Sequence, residues 1–171
     1  MTWAELTSAP PPPVGPDDHV RGPADGPLVI EYADFECHFC RLTHVALEAI
    51  RLRRVFRHFP VRSKHPRAWA AAAAAEAAAL QGRFWEMHDL LYADQGRLDD
   101  PHLWRRTREL GLDVDRFETD RRSEAVRGRI KRDFDSGLRA GVVTTPTLFV
   151  DGRSYPGVPQ DDLLARLRPA P

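Results

Sequence analysis

The sequence predicts an α/β fold in which a mixed central sheet is flanked by helices and carries an all-helical insertion. Three observations support this fold class. Two short apolar runs, Leu28–Ala33 and Val55–Phe59, enclose a helical pattern, which is typical of a strand–helix–strand unit with parallel strands. No strand pattern interrupts residues 66–140. Strand character returns at Thr147–Val150, so the insertion falls between the second and third core strands.

The first 27 residues are rich in Pro, Gly, Asp and Ala and contain the run Pro10–Pro13. This composition is typical of a flexible or polyproline-like segment, although His19–Arg21 is compatible with a short edge strand. The remaining residues, 28–171, are enough for one domain with an insertion. We therefore predict a flexible Pro-rich segment over 1–27 and a single domain over 28–171.

The first half of that domain is predicted from apolar spacing. Leu28–Ala33 is short, apolar and bounded by turn residues, as expected of a buried central strand. From Arg41 onward the apolar residues recur at helical spacing, at Leu42, Val45, Ala46, Ala49 and Ile50. The second buried strand, Val55–Phe59, ends at Pro60. Because a helix connects them, the two strands should be parallel.

Five helical patterns fill the insertion at about 66–140. They begin at His65–Pro66, Phe84, Asp100–Pro101, Val114 and Ser123. Asp100 is the predicted cap of the third helix. The aromatic residues Trp69, Phe84, Trp85 and Trp104 fall at helical spacing and are predicted to form the core of the insertion. The arginine-rich stretches 51–54 and 105–108 are predicted to be solvated faces.

The end of the chain predicts a hairpin and a helix. Asp151-Gly152 is a strong hairpin turn signal, so Arg153–Tyr155 should return antiparallel to Thr147–Val150. Leu163, Leu164 and Leu167 then give the segment Gln160–Leu167 an amphipathic helical pattern.

The overall charge excludes some classes of partner. The formal net charge is zero, so the basic footprint of a nucleic-acid-binding domain is missing. No run of about 18 apolar residues predicts a membrane-spanning helix. The first residues lack the basic start and apolar core of an export signal, so we expect a cytoplasmic protein, although a chain whose signal had been removed would look the same.

The two cysteines, Cys37 and Cys40, lie between the first predicted strand and its helix. A helix N-terminus stabilises a thiolate through its free amides and its dipole, which predicts Cys37 as a nucleophile. Cys40, one turn later, is placed to attack a mixed disulfide on Cys37 and release the partner. His38, when charged, would hold the thiolate. Two other interpretations of the cysteine pair are open. The cysteines could be small apolar core residues, or they could form half of a zinc site, which would need further ligands from scattered histidines such as His44.

Two other residues are candidates for the same site. Glu31 interrupts an apolar strand six residues before Cys37, where burial is costly unless the acid has a task. Such a carboxyl could shuttle the proton of Cys40, but a solvated strand end is equally compatible with the spacing. Pro146 precedes the third strand. A cis bond there would turn the backbone of Thr145 toward a bound partner, although the sequence alone favours trans.

Two histidines lie close to these candidates in the sequence. His58 ends the second strand and His65 begins the insertion, so either could shape the rim of the site. Core or surface positions are the ordinary expectation for both.

Together these segments resemble the DsbA-like branch of the thioredoxin superfamily. The matching segments are Val29–Tyr32, Asp34–Cys40, Arg57–Pro60, Phe84–His88 and Gly141–Gly152. The resemblance implies a thioredoxin fold and thiol–disulfide exchange with protein substrates. It also implies that Cys37 is the nucleophile, Cys40 the resolving thiol, Pro146 a cis proline facing them and Glu31 the buried acid.

Two departures limit what the resemblance implies. The strongly oxidising bacterial enzyme of this branch carries Pro-His between its cysteines, whereas this chain carries His38-Phe39, so oxidising strength is not implied. The export signal of that enzyme is also missing.

The sequence therefore predicts a protein-disulfide oxidoreductase that needs no dissociable cofactor and no metal. We expect a monomer that exchanges disulfides with protein thiols, is recycled by an unidentified redox partner, and binds neither nucleic acid nor membrane. Two alternatives remain open at this stage. One is a glutathione-linked transferase or isomerase of the kappa type, whose members typically have serine at the position of Cys37. The other is a non-enzymatic, redox-gated interaction module.

Overall fold

The computed structural model describes residues 9–168, which form a five-stranded sheet and seven helices. The strands are β1 (His19–Arg21), β2 (Leu28–Ala33), β3 (Arg53–His58), β4 (Thr147–Val150) and β5 (Arg153–Pro156). The helices are α1 (His38–Glu48), α2 (Ala68–Ala79), α3 (Phe84–Ala93), α4 (Asp100–Glu109), α5 (Val114–Asp120), α6 (Glu124–Arg139) and α7 (Asp161–Leu167). None of the described helices has both the length and the apolar character needed to cross a membrane.

The sheet is mixed, with the strand order β1-β3-β2-β4-β5. β2 and β3 are parallel, with Ile30 opposite Val55, and α1 forms the crossover between them. β4 lies on the other side of β2 and runs antiparallel to it, with Ile30 opposite Phe149. β2 is therefore the central strand, and its residues from Val29 onward are buried. The predicted fold class and the parallel pair are confirmed.

The hairpin between β4 and β5 follows from its turn residues. Asp151 and Gly152 have φ angles of 48° and 75°, the left-handed conformation that a two-residue hairpin turn requires. The returning strand ends at Pro156, where an edge strand tolerates the missing amide donor. The antiparallel return predicted from Asp151-Gly152 is confirmed.

Five helices, α2 to α6, lie between β3 and β4, as the sequence predicts. The alanine-rich helix α2 packs against aromatic and sulfur side chains of the other helices, among them Phe84, Met87 and Phe117. Because alanine side chains are small, neighbouring helices can approach α2 closely. Trp85 and Trp104 pack against this core from its edge, and Trp69 packs against a smaller cluster. Because the same cluster includes Phe35, Cys40 and Phe56, the insertion shares its hydrophobic core with the sheet and the dithiol segment.

Some predicted boundaries are wrong by a few residues. The cap of α4 is Asp99, whose side chain accepts a hydrogen bond from the backbone N–H of His102, whereas Asp100 is the first helical residue. The helix α2 begins at Ala68, because His65 precedes it in a hydrogen-bonded turn with Val61. The largest consequence for function is at α1. That helix begins at His38 rather than Arg41, which makes Cys37 its N-cap residue.

Part of the N-terminal segment is held against the domain. β1 pairs antiparallel with β3, and the carboxylate of Asp18 accepts hydrogen bonds of 2.9 Å from both Nε and an NH2 nitrogen of Arg57. Both side chains are nearly inaccessible to solvent. The boundary of the flexible segment predicted over 1–27 therefore does not fit residues 18–21. Residues 1–8 lie outside the described part of the chain, and the prediction stands untested there.

Candidate active site at the Cys37–Cys40 dithiol

The two cysteines lie where the central strand passes into α1. Cys37 is the N-cap residue, with extended backbone angles of −76° and 119°, and no side chain caps the helix. The first-turn amides of the helix are therefore available to a negative charge on Cys37. Cys37 is 4% exposed and Cys40, one turn further on, is fully buried. The geometry separates an outer sulfur from an inner one.

Three segments hold the dithiol in place. Cys37 Sγ lies 3.4 Å from the backbone carbonyl oxygen of Thr145, and the following Thr145–Pro146 peptide bond is cis. The backbone N–H of Asp34 donates to Cys40 Sγ at 3.4 Å. From the insertion, the side-chain amide of Gln95 donates to the carbonyl of Cys37 at 2.8 Å. The loop before β4 and the helical insertion therefore both contact the segment that carries the cysteines.

The two thiols have opposite acidities. The hydrogen bond from Cys40 lowers the pKa of Cys37 to about 5, with help from the Thr145 side chain and the backbone of Phe39 and Cys40, while burial opposes the shift. Burial, followed by the hydrogen bond to Cys37 and its charge, raises the pKa of Cys40. At neutral pH, Cys37 is therefore a thiolate and Cys40 a thiol, the division of roles that disulfide exchange needs.

A buried ion pair lies behind the dithiol. Glu31 is fully buried, and its Oε2 accepts a hydrogen bond of 2.8 Å from Nε of Arg54, which is also buried. The two residues come from neighbouring strands, β2 and β3. The charge of Glu31 is one of the smaller causes that raise the pKa of Cys40. The structure therefore places Glu31 behind Cys40, and its role in proton transfer stays a prediction.

Beside this ion pair lie neutral ring side chains. An NH1 nitrogen of Arg54 lies 3.0 Å from Nδ1 of His44, whose ring stacks on Tyr92 with centroids 5.1 Å apart. Burial, with the charge of Arg54, lowers the pKa of His44 to about 4. Burial raises the pKa of Tyr92 well above its usual range. His44 and Tyr92 are therefore neutral at pH 7, and the charged partner of Glu31 in this region is Arg54.

A cavity of about 150 Å³ opens beside the outer sulfur. Its lining residues are Cys37, Phe39, Val61, Lys64, His65, Val143, Thr144 and Thr145. Phe39 and Val143 are 57% and 87% exposed, which is unusual for large apolar side chains. The cavity therefore combines a reactive sulfur, a backbone segment and an apolar rim, features suited to a bound polypeptide.

The structure brings together most of the residues predicted from the sequence. Cys37, Cys40 and Thr145 are in contact, Pro146 follows Thr145 directly, and Glu31 lies behind Cys40. His38 is exposed at the rim, with its ring edge-on to Phe39, so its predicted support of the thiolate remains untested.

The structure separates the two histidines near the insertion. His58 is buried in the core, where its Nε2 lies 2.7 Å from a carboxylate oxygen of Glu76. His65, in contrast, lines the cavity beside Cys37. His58 therefore occupies a core position, whereas His65 is a partly exposed residue at the rim, where the buried carboxylate of Asp34 holds it.

Sequence reasoning missed three residues that shape the site. Arg54 is predicted to lie on a solvated face, but it is buried and paired with Glu31. Away from the site, the prediction of a solvated face at 105–108 is also wrong at Arg106, which is buried and donates hydrogen bonds to backbone carbonyls. Asp34 and Gln95 carry no motif of their own. An acid directly after a buried strand was the available signal for Asp34.

Two clusters among the described residues bring three potential metal ligands together, and neither contains a cysteine. One is His19, His58 and Glu76, and the other is His44, His88 and Asp89. In the first, both imidazole Nε2 atoms lie 2.7 Å from the same oxygen of Glu76, which is hydrogen-bond geometry. The zinc alternative for the dithiol needs two further ligands near Cys37, and these clusters do not provide them.

Comparison with known proteins gives a family and several relatives. The family model described as Thioredoxin matches residues 15–167. A thioredoxin-like oxidoreductase from Silicibacter pomeroyi superposes with a TM-score of 0.80 at 26% identity, covering 90% of this chain and 91% of its own. DsbA2 from Pseudomonas aeruginosa gives a TM-score of 0.69 at 26% identity, covering 90% and 94%. The likeness to the DsbA-like branch predicted from the sequence is confirmed.

The curated relatives add a different context. Na(+)/H(+) antiporter NhaA 3 from Salinispora tropica is 47% identical over 152 residues, which cover 85% of this chain but 23% of the antiporter. The chain therefore spans about a quarter of the length of the curated relatives that it matches.

Proposed function

The chain belongs to the thioredoxin family, and from this we propose that it is a thiol–disulfide oxidoreductase that exchanges disulfides with protein substrates through Cys37 and Cys40. One observation carries the proposal. Cys37 lies at the N-terminus of α1 with its pKa lowered to about 5, directly over a buried Cys40 whose pKa is raised. A thiolate beside a protonated second thiol is the arrangement that makes a dithiol exchange rapidly and release its partner.

The proposed reaction has two steps. The Cys37 thiolate attacks one sulfur of a substrate disulfide, which forms a mixed disulfide, and the other substrate sulfur leaves and is protonated. Cys40 then loses its proton and attacks Cys37 Sγ. The second substrate thiol is released, the substrate is reduced by two electrons, and Cys37 and Cys40 become a disulfide. Glu31, whose charge acts on Cys40, is the proposed acceptor of its proton. A recycling partner restores the dithiol, and the reverse sequence oxidises a substrate.

The surroundings of Cys37 favour protein substrates. Beside the sulfur lie the backbone of Thr145 and the exposed apolar side chains of Phe39 and Val143. An extended peptide can pair its backbone with such a loop and pack a side chain against an apolar rim. The serine typical of the kappa-type glutathione enzymes is not present at position 37, which argues against that alternative. The cytoplasmic location and the monomeric state remain part of the proposal.

The acidity of Cys37 indicates the direction of exchange. A more stable thiolate stabilises the reduced form and makes the dithiol more oxidising. Nucleophile pKa values of about 7 in thioredoxin and about 3.5 in DsbA accompany potentials of about −270 and −120 mV. The pKa of about 5 for Cys37 lies between these two values, so we expect a potential between about −270 and −120 mV. We therefore propose a dithiol that is more oxidising than thioredoxin.

Equilibration with glutathione tests this proposal. The fraction of the Cys37–Cys40 disulfide, measured by mass spectrometry after acid quenching, should give a midpoint potential at pH 7 well above about −270 mV. A midpoint near −270 mV would make the protein a reductase instead. Failure to form the Cys37–Cys40 disulfide at any glutathione ratio would contradict the enzymatic proposal and favour the interaction module.

The antiporter relatives favour a second candidate function, a redox module that acts on a membrane transporter. The observation is the 47% identity to an NhaA-type antiporter over less than a quarter of that protein. Both candidates use the same dithiol chemistry and differ in the substrate. A comparison of Na⁺/H⁺ exchange by such an antiporter in vesicles, with the oxidised and the reduced chain added, separates them.

A further inference from the structure

A buried acid fixes one histidine at the edge of the cavity beside Cys37. The side chain of Asp34 is inaccessible to solvent, and its Oδ2 lies 2.8 Å from Nδ1 of His65. The same oxygen accepts a hydrogen bond of 2.8 Å from the backbone N–H of Val61, and Oδ1 accepts one of 2.9 Å from the backbone N–H of Glu36. Two backbone hydrogen bonds therefore orient the carboxylate, and the carboxylate orients the imidazole.

This pairing fixes which nitrogen of His65 is available. A carboxylate only accepts hydrogen bonds, so Nδ1 of His65 carries the proton shared with Asp34. The second nitrogen, Nε2, has no hydrogen-bond partner within residues 9–168. His65 is partly exposed and lines the same cavity as Cys37 and Thr145. When the ring is protonated, Nε2 is thus a proton donor available to a group bound in that cavity.

From this geometry we propose that His65 is the general acid of the exchange reaction and that Asp34 is its positioning residue. The inference rests on the proposed function. When the Cys37 thiolate attacks, the sulfur–sulfur bond of the substrate breaks and its electron pair goes to the departing sulfur. One substrate sulfur is then bonded to Cys37 in a mixed disulfide, and His65 transfers the proton on Nε2 to the other sulfur, which departs as a thiol. The neutral ring regains a proton from water before the next cycle.

Other groups around the ring are less suited to this task. The charged or titratable groups near it are Asp34 and Glu36 from the segment after β2, Cys37 at the start of α1, and Lys64 and Arg67 on either side in sequence. The segment from Val143 to Thr145 contributes no titratable group. A lysine ammonium is ordinarily too weak an acid, and a guanidinium far weaker, whereas an imidazolium matches a proton transfer near pH 7.

A choice of leaving group tests the proposal directly. Glutathione disulfide releases an alkyl thiolate that needs a proton, whereas 5,5′-dithiobis(2-nitrobenzoate) releases a stable aryl thiolate that does not. We expect His65→Gln to slow single-turnover reduction of glutathione disulfide at least about tenfold, in line with the usual effect of a general acid. The rate with the aryl disulfide should change less than about twofold. Asp34→Asn should show the same selectivity more weakly.

A pH profile and a matched control complete the test. In the wild type, the rate with glutathione disulfide should fall as the pH rises, because the protonated form of the general acid is lost. This fall should be missing in His65→Gln. The control is His102→Gln on α4, since His102 also pairs through Nδ1 with an aspartate, Asp99, but lies outside the cavity. It should match the wild type with both disulfides.

The outcomes separate this inference from the proposed function. Equal slowing of both disulfides by His65→Gln, or no slowing of either, would overturn the role of His65 while leaving dithiol exchange intact. If wild-type protein reduces neither disulfide, the proposed function itself fails, and the inference fails with it.

Discussion

Cys37→Ser should reduce the rate of disulfide turnover to the uncatalysed background, a loss of at least about a hundredfold. The reason is that the attacking species is the thiolate, which Cys37 forms because the hydrogen bond from Cys40 lowers its pKa to about 5. A serine hydroxyl stays protonated at neutral pH and does not attack sulfur. The measurement is the reduction of insulin disulfides with a thiol as the final reductant, compared at equal protein concentration.

Cys40→Ser provides the matched control for this change. It keeps the attacking sulfur of Cys37, so a mixed disulfide with substrate should accumulate, but it lacks the thiol that resolves it. Far-ultraviolet circular dichroism of both variants establishes that the domain is folded. Turnover by folded Cys37→Ser protein at more than a tenth of the wild-type rate would show that the dithiol mechanism is wrong.

Arg54→Met should destabilise the protein by about 3–5 kcal/mol, because it leaves the carboxylate of Glu31 buried without its partner. Nε of Arg54 donates to Glu31 at 2.8 Å, and both side chains are buried between β2, β3 and α1. A charge in that position has neither water nor a cation to stabilise it. The free energy of unfolding of the reduced protein, from urea titration at pH 7, measures the effect.

Two further variants test whether the unpaired charge of Glu31 causes the loss of stability in Arg54→Met. Arg53→Met replaces the neighbouring arginine on β3, which is partly exposed, and a surface change of this kind should alter stability by no more than about 0.5 kcal/mol. Glu31→Gln combined with Arg54→Met removes both charges and should recover part of the loss. A loss below about 1 kcal/mol in the single variant would mean that water reaches Glu31 and that the ion pair is not a buried one.

The order of the elements was predictable because apolar periodicity is a local property. The strands β2 and β3 are short buried segments, and helical spacing locates α1. The face of α1 predicted from that spacing is wrong, because the helix buries Cys40, Thr43 and Leu47 and leaves Leu42 and Val45 exposed. The exact start of α1 was not predictable in this way. His38 and Phe39, in its first turn, are exposed and add nothing to the apolar pattern that begins beyond them.

The polar side of the site was harder to predict, because its partners are distant in sequence. Arg54 stands in an arginine-rich stretch, and only the pairing of β2 with β3 brings it to Glu31, 23 residues away. Asp34 and His65 meet across 31 residues, at a turn whose shape the sequence does not give. The Cys37–Cys40 pair was visible at once because its chemistry is contained within four residues.

The most direct test of the account is the pH dependence of alkylation of the reduced protein by iodoacetamide. The thiolate is the reactive form, so the rate should be constant at neutral pH and fall as the pH drops through the pKa of Cys37, about 5. Peptide mapping should find the label on Cys37, with Cys40 protected by its burial and its raised pKa. A half-maximal rate near pH 9, the ordinary range of a thiol, or labelling of Cys40 before Cys37, would contradict the central claim that Cys37 is the activated nucleophile.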